Sequence, residues 1–159
     1  MLDDTPMRLA PLDPAHPDAH ALIAQSEALM SALYPSESNH FEPAENLRPP
    51  HGAFWGCWVG DQLVGCGGVK HYDGYGEIKR LFVRDSARGR GVATQLMARL
   101  EAELTARGVG LARLETGIHQ PEALALYRRL GYRERGPFGD YAPDPLSAFF
   151  EKQLPAAAM

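Results

Sequence analysis

The feature that most limits how this chain can fold is a strand that runs through a glycine-arginine turn straight into an amphipathic helix. Gly76–Val83 is strand-like and Arg84–Arg90 is a tight basic connection. In Gly91–Arg107, Val92, Leu96, Leu100 and Leu104 then recur every four residues until Gly108 and Gly110 end the helix. The next strand-like run, Gly110–Thr116, is expected to return as a parallel neighbour of Gly76–Val83 through a right-handed crossover. The junction is also suited to binding an anion. A helix start leaves backbone N–H groups without intrahelical acceptors and carries a partial positive charge. Gly89 and Gly91 let the backbone approach a phosphate, and Arg88 and Arg90 add charge and forked donors. A pyrophosphate fits that description.

The rest of the chain reads as one domain around this unit, spanning 1–159 with a core from about residue 7 to 154. Met7–Pro11 is a first strand, and from Ala15 a helix places Leu22, Ile23, Ser26, Leu29, Met30 and Leu33 on one face. Tyr34–Gly52 is a proline-containing loop, with a short helical turn around Ala44–Leu47. Ala53–Val59 and Leu63–His71 form a hairpin through Gly60-Asp61-Gln62, and Gly76–Val83 extends it to a meander. Pro121–Leu130 is a short helix stopped by Gly131, and Tyr132–Arg135 and Ser147–Lys152 close the sheet around the loop Gly136–Leu146. The expected class is α/β, a mixed sheet with helices on its faces.

Composition removes several functions. The net charge of −4 argues against a nucleic-acid binder that works by broad phosphate neutralisation. No apolar run approaches a membrane span, and the first residues carry two acids where a secretory leader needs basic ones. Cys57 and Cys66 cannot build a disulfide framework, and no zinc spacing is present. His16 and His20 have metal-compatible spacing on a helix but no third ligand, so no metal is expected. The expected compartment is the cytoplasm.

Generic nucleotide motifs do not fit. There is no Walker spacing, and Gly89-x-Gly91 is followed by Thr94 where a dinucleotide fingerprint needs glycine or alanine. Arg88-x-x-Gly91-x-Ala93 after a strand instead resembles the coenzyme A loop of the GNAT family of N-acetyltransferases. Downstream, Gln120-Pro-Glu-Ala123-Leu-Ala-Leu-Tyr127-Arg-Arg-Leu-Gly131-Tyr132 is similar to a second segment of that family, with Gln120 in place of the usual asparagine.

The resemblance implies a mostly antiparallel central sheet flanked by helices, with a parallel strand-helix-strand unit that binds acetyl-CoA as co-substrate. It implies that the backbone of Leu81, Phe82 and Val83 pairs with the pantetheine arm and that Arg88, Gly89, Arg90, Gly91, Val92, Ala93 and Thr94 hold the pyrophosphate, with Gln120 beside the coenzyme. Acyl transfer to an amine needs a neutral amine, a polarised thioester carbonyl and a proton for the departing thiolate. By the resemblance, Glu77 stands where relatives place a glutamate base, and Tyr127 is the tyrosine that protonates the coenzyme sulfur. An exposed strand carboxylate paired with Lys79 or Arg80 is the plainer reading of Glu77, and a core tyrosine that of Tyr127. Two loops are candidates for the acceptor site: Tyr34-Pro-Ser-Glu-Ser-Asn-His40, with Tyr34 as wall and Glu37 (with Glu42) as amine-attracting acid, and Phe138-Gly-Asp140-Tyr141.

The function implied is direct transfer of an acetyl group to a primary amine, with a small molecule or a peptide as acceptor. Two alternatives stand beside it, a protein lysine or N-terminal acetyltransferase and a non-catalytic acyl-CoA sensor. Dimers are common in the resembled family, so a homodimer is the expected assembly even though no exposed apolar stripe in the sequence establishes one.

Overall fold

The computed structural model describes residues 6–39 and 41–155; His40 of the early loop and the two chain ends lie outside the described residues. The chain forms β1 (Met7–Pro11), α1 (Pro17–Leu33), β2 (Gly52–Val59), β3 (Gln62–Tyr72), β4 (Tyr75–Val83), α2 (Val92–Ala106), β5 (Leu111–Gly117), α3 (Pro121–Arg129), β6 (Arg133–Arg135) and β7 (Ser147–Gln153). Short 3₁₀ turns lie at Ser36–Ser38, Ala44–Leu47 and Asp85–Ala87. The first of these breaks up the early loop, where the sequence suggests a turn only at Ala44–Leu47.

Seven strands form one sheet in the order β1-β2-β3-β4-β5-β7-β6. Every pairing is antiparallel except β4 with β5. Parallel strands need a crossover, and α2 supplies it. The helix is held there by its apolar stripe. Val92, Leu96, Met97, Leu100 and Leu104 are all buried, each worth about 1.5–3 kcal/mol when fully removed from water. Gly65 and Gly67 on β3 leave room for Val92, Leu96 and Leu100, because side chains two apart share a sheet face. On the other face, Cys66 packs with Leu12, Ala19, Leu22, Ala44, Leu47 and Phe54.

Helix α1 departs from a simple amphipathic reading. Its first half packs on the sheet through Ala19, Leu22 and Ser26. Farther along, Leu29, Met30 and Leu33 are only half-buried and line a cleft. His16 caps the helix, its Nδ1 accepting from the Asp18 N–H at 3.1 Å.

The end of α1 is pinned to the end of β5 by Tyr34. The Tyr34 hydroxyl accepts from the His119 N–H at 3.0 Å and donates to Gln120 Oε1 at 3.3 Å, and its ring stacks on His119 at 5.4 Å. This packing requires a glycine at position 117, where a Cβ would run into the Tyr34 hydroxyl. Gly117→Ala should therefore lower the unfolding free energy by about 1–3 kcal/mol in a urea titration. Gly136→Ala, whose Cβ would meet nothing within 4 Å, should stay within about 0.5 kcal/mol of the parent. Equal stability of the two variants would contradict the packing role given to Tyr34.

Candidate active site

The parallel ladder between β4 and β5 is short. Gly76, Glu77 and Ile78 pair with Ala112, Arg113 and Leu114, and from Lys79 onward the strands part. A bulge in β4 accompanies the parting. Gly68 faces Lys79 and Cys66 faces Phe82, so Arg80 and Leu81 together oppose Gly67. Arg80 takes φ 62°, a conformation that costs a non-glycine residue energy and persists only when its surroundings hold it. Arg80 Nη2 bonds Glu27 Oε2 at 2.6 Å, and its Nε donates to the Glu42 carbonyl at 2.9 Å.

The strands part into a cleft of about 1220 Å³. Its floor includes Leu81–Val83 of β4 and Glu115–Gly117 of β5, and its walls come from α1, the start of α2, the start of α3 and Tyr141. The start of α2 has the chemistry expected of it. Gly91 is the N-cap in the left-handed region and makes no side-chain capping bond, so the first amides of the helix have no intrahelical acceptor. Gly89 is also left-handed, and a Cβ at either glycine would meet nothing within 4 Å, which leaves open space for a ligand at the turn.

Arg88 reaches across the cleft mouth to Glu122 at 3.3 Å and back to Asp85 at 3.2 Å. Its side chain is 45% exposed, and pairs of this kind are worth about 0–1 kcal/mol, so a phosphate can displace them. Arg90 behaves differently. It is absent from the cleft lining and lies close enough to Cys57 for its charge to act on that thiol. The structure thus brings only Arg88, of the two arginines, to the cleft.

Glu77 and Tyr127 both line the cleft and are both buried, at 2% and 6% exposure. Glu77 is paired with Lys79 at 3.2 Å, as the plainer sequence reading allows, and not with Arg80. It also accepts the Tyr141 hydroxyl at 2.6 Å. Tyr127 has its ring against Tyr132 and Phe150 at 6.0 and 6.2 Å. Burial, then the nearby Glu115 charge, pushes its phenol well above the ordinary tyrosine value, so the hydroxyl stays protonated.

The acceptor-loop residues divide. Tyr141 reaches the cleft with its hydroxyl on Glu77. Tyr34 lines it mainly as a buried anchor whose polar group is already engaged. Phe138 is buried beneath Tyr141, edge-on at 5.3 Å, and lines nothing. Glu37 and Asp140 are exposed and lie outside the cleft, so neither acid is placed to attract an amine there. Glu42 lines the cleft and pairs with Lys70 at 2.8 Å. Gln120 precedes α3 without capping it and spends its side-chain oxygen on Tyr34.

One cleft carboxylate was not singled out in the sequence. Glu115, on β5 beyond the last pair with β4, accepts from Ser147 Oγ at 2.7 Å, and its charge acts on Tyr34, Tyr127 and Tyr141. The strand alternation of β5 was its only signal.

The parted sheet edge, the start of α2, a carboxylate and a neutral phenol thus meet in one cleft. The model of the acetyltransferase (GNAT) family matches residues 21–132. An IAA acetyltransferase from Azospirillum brasilense is 43% identical over 135 residues, which cover 84% of this chain and 88% of that protein. The uncharacterized N-acetyltransferase YsnE of Bacillus subtilis is 40% identical over 138 residues, 84% of this chain and 91% of its own. Among solved structures, a Klebsiella pneumoniae protein named as an acyl-CoA N-acyltransferase aligns with a TM-score of 0.81 at 35% identity, over 93% of this chain and 97% of that one. The PaiA N-acetyltransferase of Thermoplasma acidophilum, solved with coenzyme A, shares the fold with a TM-score of 0.73 at 14% identity, over 93% and 99%. The chain belongs to the GNAT family and is an acyltransferase of that class.

The cysteines take no part in the cleft. Both are free, buried and absent from its lining. Burial pushes the Cys66 thiol up to about 12 and raises Cys57 as well. At pH 8 about one Cys66 in 10⁴ is then thiolate, the reactive form. A thiol reagent at pH 8 should label Cys57 and Cys66 only as the protein unfolds in guanidinium. Rapid labelling of the native protein would contradict their placement.

Proposed function

We propose that the protein transfers the acetyl group of acetyl-CoA directly to the primary amine of a small molecule, with both substrates bound together. The observation that carries this reading is the parting of β4 and β5 beyond Ile78 and Leu114, with Glu77 and Tyr127 both on the cleft it opens. The β5-facing edge of Leu81–Val83 offers strand-like hydrogen bonding to the amide groups of a pantetheine arm. The α2 start and Arg88 hold the pyrophosphate, as family membership and the coenzyme A complex of the Thermoplasma relative support.

The amine must be neutral before it attacks, because an alkyl ammonium keeps its proton up to about pH 10.4, as lysine does. Glu77, through a water, takes that proton. The amine nitrogen forms its bond to the thioester carbon, and a backbone N–H near Leu81 meets the developing oxyanion. As the carbon–sulfur bond breaks, Tyr127 donates to the sulfur, and the surplus proton on the attacking nitrogen passes through water to the phenolate, so that a neutral amide, free coenzyme A and a protonated Tyr127 result. A thiol of ordinary acidity (about 8.5) is the protonated form at neutral pH. The carboxylates Glu42, Glu77 and Glu115 favour a cationic acceptor, and Leu29, Met30, Leu33 and Phe41 supply apolar walls.

Release of free coenzyme A on a panel of amines and peptides tests the reading. Turnover on small amines is expected. Turnover confined to peptides would move the acceptor to proteins, and acetyl-CoA binding without release on any acceptor would favour a sensor. Tyr127→Phe should lower kcat about 10²-fold and leave acetyl-CoA affinity unchanged by calorimetry; wild-type turnover would remove the acid role. Arg88→Ala should raise the Kd for acetyl-CoA roughly tenfold, and an unchanged Kd would count against the pyrophosphate assignment.

A further inference from the structure

Glu77 meets both of its partners through one oxygen. Tyr141 donates its hydroxyl to Oε2 at 2.6 Å, and Lys79 Nζ lies 3.2 Å from the same Oε2. Lys79 also donates to the Tyr141 hydroxyl oxygen at 3.1 Å, which closes a triangle. Oε1 makes neither contact. We infer that Lys79 and Tyr141 are positioning residues that hold the Glu77 carboxylate by Oε2 and present Oε1 to the acceptor amine. The inference rests on reading Glu77 as the base.

The surroundings fix both partners in place. The Tyr141 ring lies edge-on to Phe138 at 5.3 Å and to Phe149 of β7 at 5.4 Å. Phe138 in turn meets Tyr75 of β4 at 5.9 Å, and the Arg113 guanidinium covers Tyr75 and Phe138 at 4.6 and 5.7 Å. Arg113 is tied to Glu151 at 3.1 Å. The late loop therefore delivers one hydroxyl to one spot. Lys79 is brought to the carboxylate by the two-residue alternation of β4 ahead of the bulge. Glu77 and Lys79 share a sheet face, and the bulged Arg80 sends its own side chain to Glu27 and away from Glu77.

Lys70 and Arg113 are the neighbours of Glu77 across the β3 and β5 ladders, and its charge acts on Tyr72 and Tyr75. Among the described residues, Lys79 and Tyr141 are the two seen to bond it directly.

The experiment compares kcat and the acceptor KM of the wild type, Glu77→Gln, Tyr141→Phe and Lys79→Met, with acetyl-CoA affinity by calorimetry as the control for folding. Tyr141→Phe keeps the ring in its aromatic contacts and removes only the hydroxyl. It should lower kcat about tenfold and leave both the acceptor KM and the acetyl-CoA affinity unchanged. Lys79→Met should lower kcat in the same way, and Lys79→Arg should restore part of it. Wild-type kcat in Tyr141→Phe and Lys79→Met, with Glu77→Gln inactive, would overturn the positioning role and leave the base role standing. Wild-type turnover in Glu77→Gln would remove the base role and this inference with it.

Discussion

The Arg80 side chain is tied to two distant parts of the chain, and those ties keep its own backbone in a left-handed conformation. Glu27 on α1 and the Glu42 carbonyl in the early loop take its guanidinium, while the backbone at φ 62° puts the bulge into β4. A strand with this bulge cannot stay in register with both neighbours. It remains paired with β3 through Val83 but leaves β5 after Ile78. The open slot and the exposed edge of Leu81–Val83 both accompany that one irregularity.

The cleft concentrates charge in a protein of unremarkable total. A net charge of −4 conceals a basic helix start on one side and three carboxylates, Glu42, Glu77 and Glu115, on the other. Two of the three carboxylates are already paired with lysines, Glu42 with Lys70 and Glu77 with Lys79. Buried groups sharpen the division. Tyr127 and Tyr141 are both kept protonated by burial and by neighbouring carboxylates.

Much of this was legible in the sequence where the signal was local. The four-residue recurrence of Val92, Leu96, Leu100 and Leu104 and the glycines at 89 and 91 placed the α2 unit, and with it the parallel neighbour β5. Whatever depended on distant partners was not legible. A non-glycine residue in a left-handed conformation leaves no pattern of its own, since Glu27 and Glu42 hold Arg80 from far along the chain. Spacing could not say which aromatic of the late loop faces the cleft, and Tyr141 does while Phe138 packs beneath it. Glu37 and Asp140 had suitable charge but stand at exposed positions, whereas Glu115 looked like any residue of an alternating strand. The stripe on α1 was visible as periodicity, but not that its second half overhangs the cleft.

The central claim is that β4 leaves β5 to receive the coenzyme along Leu81–Val83, with its phosphates on the start of α2. Amide hydrogen exchange measured with and without coenzyme A tests it most directly. The account predicts slower exchange on binding in segments covering Leu81–Val83 and Gly91–Thr94, with little change in β1 and β2. Saturating coenzyme A that left both segments exchanging at their free rates, or protected a different strand edge, would contradict it.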